Sequence, residues 1–178
     1  MARSAHAVTD GKRAWLIDPF DDEAALTAVA ELGPPAAVVQ LLDRHNRDCE
    51  QIAQRLGAPF LRLPPAMAGS PFEVVSVISR PWWKEIALWW AAERTLIVAE
   101  GIGTAPMFAL GRRAGVHPML RLVPPRAALG GFDCERLLVG HGPALESDAA
   151  AALGQALSSS RTDMPKLLIK LPSALRGG

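Results

Sequence analysis

The chain has 178 residues, 49% of them hydrophobic and 21% charged, with a formal net charge of +1. That length and composition fit one well-buried globular domain and exclude a disordered chain. The near-neutral balance gives no bulk pull toward nucleic acid or an anionic membrane, and no uncharged run approaches the ~18–20 apolar residues that span a bilayer, so neither is expected as a partner. The opening residues Met1-Ala2-Arg3-Ser4-Ala5-His6 lack the apolar core of a secretory signal, which makes a cytoplasmic location the expectation. Cys49 and Cys134 are the only cysteines. Two thiols make no disulfide framework, and a reducing compartment keeps both free.

A single domain over 1–178 is expected, with 1–12 a flexible N-terminus that includes His6 and 161–178 a C-terminal extension. Ala14-Trp15-Leu16-Ile17 is a short apolar run stopped by Asp18-Pro19, a buried strand ending in a turn. Residues 21–32 read as a helix: Ala25, Leu26, Val29 and Leu32 share one face, and Gly33-Pro34-Pro35 ends it. Ala36 to Leu42 is a second buried strand that runs into the polar stretch Asp43-Arg44-His45-Asn46-Arg47-Asp48-Cys49. Asp48 suits the N-cap of a helix carrying Ile52, Ala53 and Leu56 and closed by Gly57. Pro59 to Leu63 is a third strand, so the first third reads as a parallel α/β arrangement.

The middle of the chain changes character. Glu73–Ile78, Ile86–Trp90 and Thr95–Ala99 are β-rich and divided by turn signals, as in an antiparallel meander. Gly101-Ile102-Gly103-Thr104 reads as a tight turn, lacking the third Gly and the Lys of phosphate-binding loops. Met107 to Ala114 has a helical pattern, 116–131 is rich in Pro and Gly and resists assignment, and Arg136–Val139 is a last buried strand entering Gly140-His141-Gly142. An Ala-rich helix over 147–160 follows, with a further helix over Met164–Leu171. Trp82, Trp83, Trp89 and Trp90 are a second unusual feature. In strand alternation one member of each pair faces inward, leaving the other for packing, for a homo-oligomeric or protein partner, or for ligand stacking.

The order of elements and three motifs resemble the metallo-β-lactamase fold superfamily. Val38-Val39-Gln40-Leu41-Leu42 with its polar loop is similar to the strand that delivers that family's ligand loop. Leu96-Ile97-Val98-Ala99-Glu100-Gly101 resembles the strand ending in its bridging Asp, and Leu137-Leu138-Val139-Gly140-His141-Gly142 resembles its last ligand turn. The resemblance covers roughly residues 13–160 and implies an α/β fold, a shortened metallo-β-lactamase-like αββα sandwich. The family loop reads Thr-His-x-His-x-Asp-His, because a dinuclear site needs clustered imidazoles and a carboxylate.

Over that loop this chain places Asp43, Arg44, His45, Asn46, Arg47, Asp48 and Cys49, so only Asp48 keeps its ligand type. No His lies between His45 and His117, the bridging position falls on Glu100, and His141 keeps the last ligand. The resemblance then implies that the first metal site is lost. Arg44, which donates but cannot ligate, is expected to pair with Asp48 or Glu100 in place of a cation. Asp48, Cys49 and His141 remain as a candidate zinc set, with Glu100 as a fourth ligand. Capping alone accounts for Asp48, and burial alone accounts for Cys49. The functional expectation is a catalytically degenerate binding, regulatory or assembly module without cofactor. The alternative is a mononuclear zinc hydrolase of an ester, thioester or lactone.

Overall fold

The computed structural model describes residues 3–44 and 48–167. His6–Thr9 (β1) and Ala14–Ile17 (β2) pair antiparallel. Glu23–Ala30 (α1) leads to Pro35–Gln40 (β3), and Cys49–Leu56 (α2) leads to Phe60–Arg62 (β4). β3 joins β2 and β4 joins β3 in parallel, giving a first sheet of order β1-β2-β3-β4. Each parallel step needs a crossover, and the helices supply it. The strand in β1 corrects the expectation of a flexible segment over 1–12: Ser4 N–H donates to the Gly140 carbonyl at 2.9 Å and His6 Nε2 to that of Val139 at 2.9 Å.

The second sheet begins with Glu73–Arg80 (β5), Trp83–Trp90 (β6) and Thr95–Val98 (β7), an antiparallel meander. Ile102–Gly103 (β8) and Gly115–Val116 (β9) form a separate small ribbon. Between them lies Pro106–Ala109 (α3), much shorter than the helix expected over 107–114. Leu110 and Gly111 take left-handed backbone, φ 49° and 90°, and end it. Arg126–Leu129 (α4) precedes Arg136–Val139 (β10), which lies parallel to β7 and completes the order β10-β7-β6-β5. Ala149–Ser159 (α5) follows. Residues 164–167 are helical, and the rest of the helix expected to Leu171 lies outside the described residues.

Strand alternation sorts the core. Trp15, Ile17, Ala37 and Val39 face the main core with Leu88, Leu96, Val98 and Val139, while Leu16 and Val38 face a smaller cluster under α2. In α2, Cys49, Ile52 and Ala53 are buried on that face, and Gly57 closes the helix with φ 62°. Each fully buried Leu or Ile of this kind contributes about 1.5–3 kcal/mol. No helix among the described residues is long and apolar enough to cross a membrane.

One connection sets up everything at the strand ends. Beyond β3 the chain leaves the first sheet and runs along the second: Ile86 N–H donates to the Leu41 carbonyl at 2.9 Å, Asp43 N–H to that of Lys84 at 3.0 Å, and Leu42 bridges Glu85. Residues 41–43 therefore tie the sheets together by backbone hydrogen bonds and deliver the polar loop beside β6.

Candidate functional site

Arg44 emerges where this connection ends. Its Nη2 donates to Glu100 Oε2 at 2.9 Å, and its guanidinium carbon lies 3.7 Å from the centroid of the Trp83 ring. A planar, weakly hydrated guanidinium suits both contacts, where an ammonium would satisfy only the charge. Glu100 follows β7, and its Oε1 lies 3.2 Å from His141 Nε2. His141 follows β10; its ring stacks on Phe108 at 5.4 Å, and its carbonyl accepts from Thr104 and Ala105 N–H at 3.0 and 3.1 Å. This turn can sit so close to β7 because Gly140 has no Cβ; one added there would collide with the Ala99 carbonyl oxygen.

Beneath the ion pair lies a second acid. Glu85, on β6, is 1% exposed. Its Oε1 accepts from Glu100 N–H at 2.9 Å and Gly101 N–H at 2.8 Å, and its Oε2 from Trp83 Nε1 at 3.0 Å. Burial pushes its carboxyl up to about 7, although the three donors favour the charged form. Glu85 thus holds the backbone that presents Glu100 and the indole on which Arg44 stacks.

His117 forms the adjoining wall. Its ring meets Trp83 edge-on at 4.8 Å and Phe108 at 5.3 Å, and its Nδ1 accepts from Met119 N–H at 3.2 Å. Burial first, with the Arg44 charge adding to it and Glu100 opposing it, holds this imidazole down to about 4. It is neutral at physiological pH.

Arg44, Glu100 and His141 are therefore brought together, and two other expected residues are not with them. Asp48 stands at the N-cap of α2, but its carboxylate does not cap that helix; Oδ2 accepts instead from Asp21 N–H at 2.9 Å. Cys49 is buried in the outer cluster with Leu16 and Val38, its Sγ 3.8 Å from the Pro19 carbonyl. Asp48 and Cys49 of the expected zinc set thus sit at the start of α2 and His141 beside Glu100, and among the described residues no three His, Cys, Asp or Glu side chains gather to hold a metal ion. His45 and Asn46 lie outside the described residues. Among the described residues the donors that converge are one carboxylate and one imidazole with a guanidinium on the carboxylate, a set that does not fit the metal centre of the fold family.

The first tryptophan pair divides as strand alternation predicts, and in the second both members pack on other rings. Trp83 is wholly buried beneath Arg44, while Trp82, in the β5–β6 turn, is exposed. Trp89 packs on Phe132 at 5.1 Å and Trp90 on Phe72 at 5.5 Å. Sequence reasoning missed Glu85 and His117. The one usable signal for Glu85 was a lone acid alternating onto the same strand face as Trp83 and Ala87.

No family model matches the sequence, and no curated protein is similar to it in sequence. Solved structures are similar in fold. A metallo-β-lactamase from Hirschia baltica superposes with TM-score 0.58 at 13% identity over 89% of this chain and 85% of its own. The DIM-1 metallo-β-lactamase, solved after exposure to ceftazidime, gives 0.60 at 13% identity over 90% and 85%. A protein designated TTHA1623, in a di-iron-bound form, gives 0.58 at 17% identity over 84% and 92%. Identities this low speak to architecture alone, and by these superpositions the chain, with its two sheets, has the metallo-β-lactamase fold.

Proposed function

We propose that this chain is a catalytically degenerate protein of the metallo-β-lactamase fold, a binding, regulatory or assembly module in which Arg44 stands in for a metal. The observation that carries the reading is the Arg44–Glu100–His141 chain at the strand ends. Metallohydrolases activate water by binding it to a metal that lowers its pKa to about 7. Here the acid at the β7 end spends its charge on a guanidinium, which repels a dication and cannot ligate one.

Zinc analysis of the full chain, purified without chelator, tests the reading. The expected result is far less than one zinc per chain and a melting temperature unmoved by chelator. Stoichiometric zinc that a folded His141→Ala variant loses would overturn it and restore the zinc-hydrolase alternative.

A further inference from the structure

We propose that the loop Met119–Val123 and the hairpin turn carrying Trp82 form a docking face for an anionic lipid bilayer. The loop has inverted polarity. Arg121 is buried at 1% exposure and donates from Nη2 to the Phe108 carbonyl at 2.5 Å, and Leu120 is buried beside it. Met119, Leu122 and Val123 point outward at 62, 61 and 62% exposure. A loop that buries its arginine and exposes its aliphatic side chains gains nothing from water; the arrangement is stabilised when an apolar phase covers it.

The loop is firmly held. A 3₁₀ turn spans Pro118–Leu120, and Arg161 Nε donates to the Leu122 carbonyl at 3.0 Å. A chain of contacts links it to the hairpin: Met119 N–H bonds to His117, whose ring meets Trp83, whose ring meets that of Trp82 at 6.1 Å. Trp82 is 52% exposed, and an amphipathic indole favours the boundary between headgroups and acyl chains.

Charge selects the kind of surface. The net charge of +1 conceals a segregation: residues 101–132 hold no acid and residues 74–84 hold none, and although Arg112 and Arg113 pair with Asp163 and Asp148 and Arg121 is buried, Arg126, Arg80 and Lys84 remain. Arg80, Lys84, Arg126 and Arg161 are exposed, and the Arg80 guanidinium lies 6.0 Å from the Trp82 ring. The neighbouring acids are withdrawn. Glu85 and Asp163 are buried, Asp43 is half-buried, and Glu100 is engaged by Arg44. Aliphatic tips with Arg161 bound beside them and an indole with Arg80 beside it match an acidic headgroup layer over acyl chains.

Sedimentation of the full chain with vesicles tests the proposal, using phosphatidylcholine alone and phosphatidylcholine with about one-third phosphatidylserine. The expected result is binding to the anionic vesicles only, weakened by added salt. The double variant Leu122→Ser/Val123→Ser should lower the bound fraction about tenfold at an unchanged melting temperature, because both side chains are exposed in the free protein. Absence of binding to anionic vesicles at low salt overturns the proposal, as does a double variant that binds like the wild type. Equal affinity for soluble polyglutamate, retained by the double variant, assigns the face to an acidic protein and overturns it too.

Discussion

Replacing Glu85 by Gln should abolish a pH dependence of stability that this carboxylate imposes. In the folded protein burial raises the carboxyl from its ordinary 4.5 to about 7, a difference worth on the order of 3 kcal/mol. Between those values the folded chain holds a proton that the unfolded chain has released, so stability falls as pH rises. The contribution is complete below 4.5 and gone above about 7. His117 acts oppositely: it is held at about 4 against an ordinary 6.5, so the unfolded chain carries the extra proton and stability rises with pH over that interval.

The two slopes oppose each other between 4.5 and 6.5, so the wild-type profile alone is a poor readout, and the difference from Glu85→Gln isolates the acid. A Gln amide can still accept from Glu100 and Gly101 N–H but sets a donor against Trp83 Nε1, a constant offset that does not titrate. Urea unfolding followed by tryptophan fluorescence, from about pH 4 to about pH 8.5, measures both proteins. The gap between the curves should shift by on the order of 3 kcal/mol in favour of the variant toward alkaline pH. Parallel curves would refute the buried, proton-holding carboxylate.

Asp163→Asn should cost about 2–3 kcal/mol in chemical denaturation, because Arg112 Nε and Nη2 bind this buried carboxylate at 2.7 and 3.2 Å and Lys166 Nζ at 3.1 Å. The Arg112 hydrogen bonds hold the Asp163 carboxyl far below its ordinary 3.8, so its contribution is full above that value and lost only in stronger acid; a pair that melts already at mild acidity contradicts this. Gly140→Ala should leave little soluble protein or cost about 3 kcal/mol or more, and a normal melting temperature would refute the close approach to Ala99. Arg44→Met keeps an apolar chain over Trp83 but removes the cation paired with Glu100, so zinc titration should show tighter uptake than wild type. Equal uptake would mean that the guanidinium is not what keeps the cation out.

What was legible in the sequence followed from local rules. Continuous apolar runs marked β2 and β3 as buried strands and Gly57 gave α2 its end, while the pairing of Arg44 with Glu100 came from the family correspondence. The misplacement of Cys49 was legible too. Cys49, Ile52, Ala53 and Leu56 share the face of α2 that packs on Leu16 and Val38, and helical spacing alone sends that thiol into the core. Family correspondence had assigned it to the cleft, and packing of the helix face decides otherwise. Glu85 and His117 were harder to reach for a different reason: their roles come from partners in other elements, Gly101 for the one and Phe108, Trp83 and Arg44 for the other. His117 to Trp83 and the fold of 106–131 depend on left-handed turns at Leu110 and Gly111 that no periodicity announces.

The backbone seam at residues 41–43 has a mechanical consequence. Layers held only by apolar contact can slide by small shear displacements, but the hydrogen bonds from Ile86 to Leu41 and from Asp43 to Lys84 pin these two sheets at one end. Arg44 and Glu100, which come from opposite sides of that seam, therefore keep their spacing while the rest of the sandwich breathes. Opening near Arg44 has to come from the loops. The Ile86 amide, at the centre of the seam, should then be among the last to exchange its hydrogen with solvent, yielding only when the whole domain unfolds.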